Sequence, residues 1–511
     1  MKILLAGPGT GKTSKIKSII KQKKDSSKVL VLSFTNATVK DLQIKLSDLG
    51  VTEKNCMTLH KFAVKYNHDK SRHILVPLET EELAKIAKQT EIDFDYLCDF
   101  LDCTTFDQII QRFVDYAKAN PTYLKEKLSD FEALIVDEYQ DFNPNEQKLI
   151  DILMENITDC VVLGDDDQCI YDFKDASIEK IISFYEDKNN EIIEHEHKCY
   201  RCPDKIVEHA TFLIKNNKKR IDKKWEKNGN PGEIIYRQCN TAQEAASFVV
   251  EEIKKILQTN PEETILVLSP VSFAVEEIIS KLNESKIEHT NCFQNRSEDD
   301  LTQKVWELRY LFGEQKYLNL VLLGYRLLSN RKKFYETFKK QSEQGQSIEE
   351  MFLLLKRALS NEVCNNQCSN VEEALEHDYF SSLKDLYDQS EGTIENDKLA
   401  NMLRPEEFEE KNIRIMSIHK SKGLDADHVF MVGLIEGILP NKKQGSDSIE
   451  AQRRRFYVGM TRAKKNLYLI CNVKVPGKNV WTVNKEDFIF DKYNRVWNGK
   501  ASSYISELKL P

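Results

Sequence analysis

Eight residues near the start of the chain, Ala6-Gly-Pro-Gly-Thr-Gly-Lys-Thr13, restrict its fold more than any other feature. They stand between an apolar run, residues 2–6, that reads as a strand and an amphipathic run, residues 12–24, that reads as a helix. A strand, a glycine-rich loop and Gly-Lys-Thr at a helix start make a phosphate-binding loop, here with alanine in place of the usual first glycine. Glycines let the backbone wrap phosphates and turn its N–H groups inward, and the helix N-terminus adds its dipole. Lys12 is placed to bring a point charge to the β- and γ-phosphates, and Thr13 to ligate Mg²⁺. Ala6, Gly7, Pro8, Gly9, Thr10 and Gly11 complete the cradle.

Such a loop belongs to a parallel sheet covered by helices, and the pattern that follows agrees. Residues 28–35 read as a strand and 37–46 as a helix; residues 64–127 turn helical; strands return at 133–137 and 160–164. The second half repeats the layout. Strands at 233–237 and 264–269 flank a helix at 242–257, and helix formers dominate 299–401. Strands at 413–417, 428–433 and 466–471 follow, with a helix at 450–461. Asn228-Gly-Asn-Pro-Gly232 is a turn cluster before the second sheet. With 511 residues the chain is too long for one core. The expected organisation is an α/β chain of two parallel-sheet domains, each with a helical insertion. The first domain takes 1–63 and 128–195 around an insertion at 64–127. The second takes 196–298 and 402–490 around an insertion at 299–401, and 491–511 is a tail.

A phosphate loop needs a carboxylate on a neighbouring strand. Ala133-Leu-Ile-Val-Asp-Glu-Tyr-Gln-Asp141 is an apolar strand ending in two acids. Asp137 is placed to hold Mg²⁺, and Glu138 to orient and deprotonate an attacking water. A third strand ends in Gly164-Asp-Asp-Asp-Gln168, where Gln168 can sense the γ-phosphate.

In this order the three elements resemble the UvrD/Rep/PcrA-type superfamily 1 helicases. The resemblance continues through Phe34-Thr-Asn36, Thr58-Leu-His60, Asp137-Glu-Tyr-Gln-Asp141, Gly164–Tyr171 and Tyr200-Arg-Cys-Pro203. It extends to Ser417-Ile-His-Lys-Ser-Lys-Gly-Leu-Asp425 and Arg455-Phe-Tyr-Val-Gly-Met-Thr-Arg-Ala463, and so covers both expected sheets. It implies two RecA-like domains, ATP and Mg²⁺ in the cleft between them, and single-stranded DNA across the top. Arg201 and Arg462 would reach the γ-phosphate as arginine fingers, each worth roughly 10³–10⁵ in rate. Gly423 and Asp425 would approach ribose and phosphates. The family usually has Glu where Asp425 stands, which shortens that arm.

Phe34, Thr35, Asn36, Thr58, His60, Tyr171, Phe173 and His419 would face the strand. Phe34, Tyr171 and Phe173 either stack on bases or pack in a core, and Phe173 stands where many relatives carry Trp. His60 and His419 either donate to phosphates or are satisfied structural histidines. The family's adenine-reading glutamine segment does not precede the loop, which leaves nucleotide choice open. Both insertions look shorter than in larger members, which makes translocation a firmer expectation than unwinding. The Asp-Glu-x-Gln-Asp form resembles the branch that moves 3′ to 5′.

Net charge is −8, so bulk charge alone argues against nucleic acid; local basic runs, Lys15 to Lys24, Arg453-Arg-Arg455 and Lys464-Lys465, supply an uneven spread. Twelve scattered cysteines read as reduced thiols and not as a zinc site. Neither a membrane span nor a signal peptide is apparent, so the cytoplasm is the expected compartment. The expected activity is ATP-dependent DNA translocation or unwinding, in repair, replication or phage defence, on single-stranded DNA and tailed duplex. Its rival is a DNA-stimulated ATPase that recruits a protein partner such as a nuclease. A small-molecule kinase would not need the second sheet or its arginines, and no fused nuclease pattern is present near the C-terminus.

Overall fold

The computed structural model describes residues 1–68, 72–75, 77–171, 175–193, 198–293, 307, 309–310, 316–328, 336, 340, 348–364, 411–443, 448–476, 485–491 and 496–510. The chain divides into two compact units. One draws on residues 1–66, 114–294 and 408–511, the other on 67–113 and 295–407.

The larger unit contains two six-stranded sheets. The first has strands β1 (Lys2–Leu5), β2 (Val29–Ser33), β3 (Cys56–Thr58), β4 (Ala133–Val136), β5 (Asp159–Gly164) and β6 (Glu191–Ile192). Their order is β3-β2-β4-β5-β1-β6, parallel throughout. Every residue of β2 and β4 is buried. A strand covered on both faces has no solvated side to alternate with, so it reads as a continuous apolar run. Parallel strands end on the same edge, and β4, β5 and β1 are neighbours. The phosphate loop after β1, the Asp-Glu pair after β4 and the acidic turn after β5 are therefore brought side by side, where open α/β sheets bind ligands.

The second sheet has β7 (Ile234–Cys239), β8 (Ile265–Ser269), β9 (Thr290–Asn291), β10 (Ile413–Ser417), β11 (Ala426–Met431) and β12 (Ala463–Asn472). Its order is β9-β10-β8-β11-β12-β7, again parallel throughout. The helix Ile449–Met460 runs into β12, with Arg462 at the junction. Its first turn is capped by Ser448, whose hydroxyl accepts from the Ala451 N–H at 3.1 Å. Near the C-terminus, Ser503–Glu507 is a helix, and Tyr504 and Leu508 are buried in the core beneath this sheet.

The smaller unit is mainly helical, with His73–Ile74 and Cys103–Thr104 paired as a short parallel sheet. Helices Pro77–Thr90 and Phe94–Phe100 from one insertion share a core with Lys316–Leu327 and Ile348–Cys364 from the other. Leu83, Ile86 and Leu97 pack with Leu320, Leu323 and Leu355 in that core. Two ion pairs also join the segments: Arg309 Nη1 lies 2.5 Å from Glu79 Oε1, and Arg326 Nη2 lies 3.1 Å from Glu82 Oε1. The two insertions, expected one to each sheet domain, thus build one helical body.

Candidate active site

The phosphate loop is shaped by its glycines. Gly9 and Gly11 have φ of 68° and 83°, the left-handed region that side chains resist. Gly11 is the N-cap of the helix Lys12–Lys21. Segments preceding the second sheet pack directly against the loop. The Tyr200 N–H donates to Gly9 O at 2.8 Å, and the Cys199 thiol to Pro8 O at 3.1 Å. A Cβ on Gly9 would strike Arg201, and one on Gly7 would strike the Trp225 indole.

At the end of β4, Asp137 and Glu138 sit in different surroundings. Asp137 is buried, and its Oδ1 has no hydrogen-bond partner among the described residues. Burial, then the Glu138 charge, pushes its carboxyl up to about 6. An orphaned buried oxygen in the cleft that Thr13 also lines suits a divalent cation, so Thr13 and Asp137 fit the Mg²⁺ that a phosphate loop takes. Glu138 has φ 54°, a left-handed backbone costing about 1–3 kcal/mol that turns its carboxylate back toward the loop. It bonds Lys12 Nζ and accepts from Gln140 Nε2 at 2.6 Å. Burial alone would raise its pKa, but Lys12 and Lys422 outweigh burial and hold Glu138 at about 2.

The acidic turn is joined to this pair. Gln140 Oε1 accepts from the Asp165 N–H at 3.0 Å, and Asp165 Oδ2 accepts from Gln168 Nε2 at 2.8 Å. That leaves Gln168 Oε1 to accept from Arg462 Nη2 at 3.3 Å. Arg462 is itself buried, and its Nε and Nη1 donate to Val458 O and Leu424 O at 3.0 and 3.2 Å. Burial, then the neighbouring Arg201 charge, pushes it down to about 10, so it stays charged at neutral pH. Arg201 Nε lies 3.1 Å from Asp425 Oδ2, whose Oδ1 lies 2.5 Å from Lys464 Nζ.

These groups line one cleft of about 800 Å³. Lys12, Thr13, Asp137, Glu138, Gln168, Arg201, Gly423, Asp425 and Arg462 all border it, as do Gly7 to Gly11. Ala6 is buried beneath the loop. A loop that cradles phosphates, an ionised carboxylate and convergent cations can position a triphosphate for attack by water.

The residues expected to face a DNA strand are scattered by comparison. Phe34 and Tyr171 pack together with ring centroids 5.1 Å apart and border the cleft with Thr35. Tyr171 also lies 6.4 Å from the His419 ring. Thr35 caps the helix Asn36–Leu46, accepting from the Thr38 N–H at 3.1 Å, and Asn36 is exposed. Thr58 caps the helix Leu59–Tyr66, and His60 Nε2 faces Glu146 Oε1 at 3.4 Å. Phe173 lies outside the described residues.

Sequence reasoning misses two residues inside the quoted motifs, Lys422, which borders the cleft, and Gln140, which is buried next to Glu138. Lys422 Nζ sits 2.6 Å from Asp141 Oδ2, donates to Gln168 O at 2.6 Å and lies 5.4 Å from the Tyr171 ring. Gln140 is the bridge described above. Both stand between residues singled out for chemistry, and a polar residue buried in such a run was the available signal.

Fold and cleft together define a two-domain P-loop protein, with the phosphate loop on one parallel sheet and two arginines flanking the other. Residues 195–298 and 299–474 match the UvrD-like helicase C-terminal domain, and residues 1–174 match an AAA domain. The chain belongs to the UvrD-like helicase family. It is 25% identical over 428 residues to the ATP-dependent DNA helicase PcrA of Leuconostoc citreum, a match covering 71% of this chain and 57% of that protein. Against the ATP-dependent DNA helicase Rep of Buchnera aphidicola it is 26% identical over 552 residues, covering 90% of this chain and 84% of Rep. A probable DNA helicase II homolog of Mycoplasma capricolum is 24% identical over 595 residues, covering 91% of this chain and 81% of the homolog. The chain thus spans little more than half of the PcrA it matches.

Proposed function

We propose that the chain is an ATP-hydrolysing motor that moves 3′ to 5′ on single-stranded DNA and opens tailed duplex, in repair, replication or phage defence. One observation carries this reading. Contacts run from Lys12 through Glu138, Gln140, Asp165 and Gln168 to Arg462, so the phosphate loop and an arginine from the second sheet belong to one network.

In this reading Lys12 leaves Glu138 for the β- and γ-phosphates when nucleotide enters. Glu138, held ionised, orients water for in-line attack and takes its proton. Gln168, Arg201 and Arg462 carry the charge that develops on the γ-phosphoryl oxygens. Thr13 and Asp137 would hold Mg²⁺, which would supply charge neutralisation at the phosphates. Lys422 touches the acids on one side and Tyr171 on the other, so a strand lying against Phe34 and Tyr171 reaches the cleft through one side chain.

Steady-state ATP hydrolysis with and without single-stranded DNA tests this. Stimulation by DNA is expected, and Glu138→Gln lowers kcat by about 10²–10⁴-fold. Unwinding of 3′-tailed but not 5′-tailed duplex is the next expectation. Hydrolysis indifferent to DNA would overturn the motor, and stimulation without unwinding would leave a sensing ATPase.

A further inference from the structure

Between the helix Asp204–Ile214 and β7, residues 215–232 form a strap laid over three parts of the site. Trp225 covers Gly7 of the phosphate loop. Asn217 joins the helix that leads to Arg462, donating to Glu450 O at 3.0 Å and accepting from Arg453 Nη1 at 2.6 Å. Between these anchors the strap meets the acidic turn. The Ile221 N–H donates to Asp166 Oδ2 at 2.8 Å, and Arg220 holds both oxygens of Asp167 at 3.0 and 2.8 Å.

Lys223 lies at the centre. It is buried, with Nζ 2.7 Å from Asp165 Oδ1, 2.9 Å from Asp167 Oδ2 and bonded to Asp166. Three buried carboxylates this close would suit a cation, and the lysine ammonium is that cation. Asp165 is shared: Lys223 takes one oxygen, and the other accepts from the Gln168 amide. An amide can present its oxygen or its NH₂ group to a partner. Because Asp165 engages the NH₂ group, Gln168 turns its oxygen to Arg462.

We propose that Lys223 is a positioning residue for hydrolysis: by holding Asp165, it sets the orientation of Gln168 and so the contact between Gln168 and Arg462. The inference rests on the reading that Gln168 and Arg462 act on the γ-phosphate. Arg220 is the internal contrast, because it binds the same turn from the same strap without touching Asp165.

A double-mutant cycle on DNA-stimulated hydrolysis tests it. Gln168→Ala lowers kcat on the order of 10²-fold. Lys223→Met lowers kcat by roughly tenfold with KM for ATP unchanged, and this loss vanishes in the Gln168→Ala background, a coupling within the range for groups sharing one network. Lys223→Arg restores part of the rate. Arg220→Gln lowers thermal stability, and any rate loss it causes multiplies with that of Gln168→Ala. If Lys223→Met does not fold, Lys223→Met/Asp166→Asn, which removes one carboxylate with the cation, carries the same comparison. Losses at Lys223 and Gln168 that multiply would overturn the inference while the motor stands, and so would Arg220→Gln showing the same coupling as Lys223. A Gln168→Ala variant with unchanged kcat would instead remove the reading beneath it.

Discussion

Lys422 meets both Asp141 and the carbonyl of Gln168, and Asp141 is the group whose protonation breaks that tie. Burial pushes Asp141 up to about 7 even though Lys422 pulls the other way. Above about 7 the carboxylate is charged and holds Lys422; as pH falls through that value it takes a proton and the ion pair is lost. In the proposed motor, hydrolysis is therefore expected to fall on the acid side near pH 7, and Asp141→Asn, measured over the same pH range, to lack that limb. Folding carries the opposite sign. A carboxyl raised above its unfolded pKa contributes stability that is full below the ordinary carboxylate range and lost as pH rises through about 7. The same wild-type and Asn chains, melted across that range, give the second half of the test.

At the scale of elements, the buried pair in the helical unit has a measurable weight. Glu79 is fully buried and meets Arg309 at 2.5 Å and His73 at 3.1 Å. Removing one partner of a buried pair costs about 3–5 kcal/mol, because a charge is left without compensation. Arg309→Met destabilises the helical unit by that order, and Arg309→Met/Glu79→Gln recovers much of the loss in chemical denaturation. This pair also marks where the sequence stopped being legible. Long elements were readable from period alone: the helices Ala242–Thr259 and Ile449–Met460 and the strand Ile413–Ser417 lie within two residues of their expected bounds. The short edge strands β3, β6 and β9 were not expected, since two or three residues give no period. The phosphate loop and the acids after β4 were legible because their chemistry is local. Lys223, Trp225 and the sharing of one core by two insertions depend on partners far along the chain, and no local pattern announces them.

At the scale of the molecule, no helix among the described residues is long and apolar enough to cross a membrane. The larger unit is assembled from three stretches of chain and the smaller from two. Refolding followed by amide exchange should reflect this: protection in Pro77–Thr90 is expected to appear together with that in Lys316–Leu327, and not with the strands β1 to β3. Protection arising early and alone in Pro77–Thr90 would count against it.

The shared core of the helical insertions has a consequence for synthesis. Glu79 leaves the ribosome 230 residues before Arg309. At about 5–20 residues per second, that interval lasts roughly 10–50 s. For that time Leu83, Ile86 and Leu97 lack Leu320, Leu323 and Leu355, their core partners from the second insertion, while the phosphate loop's own strands are already emerging. The nascent first insertion is a waiting hydrophobic surface, a natural station for a chaperone, and slow codons between the two insertions would lengthen its exposure.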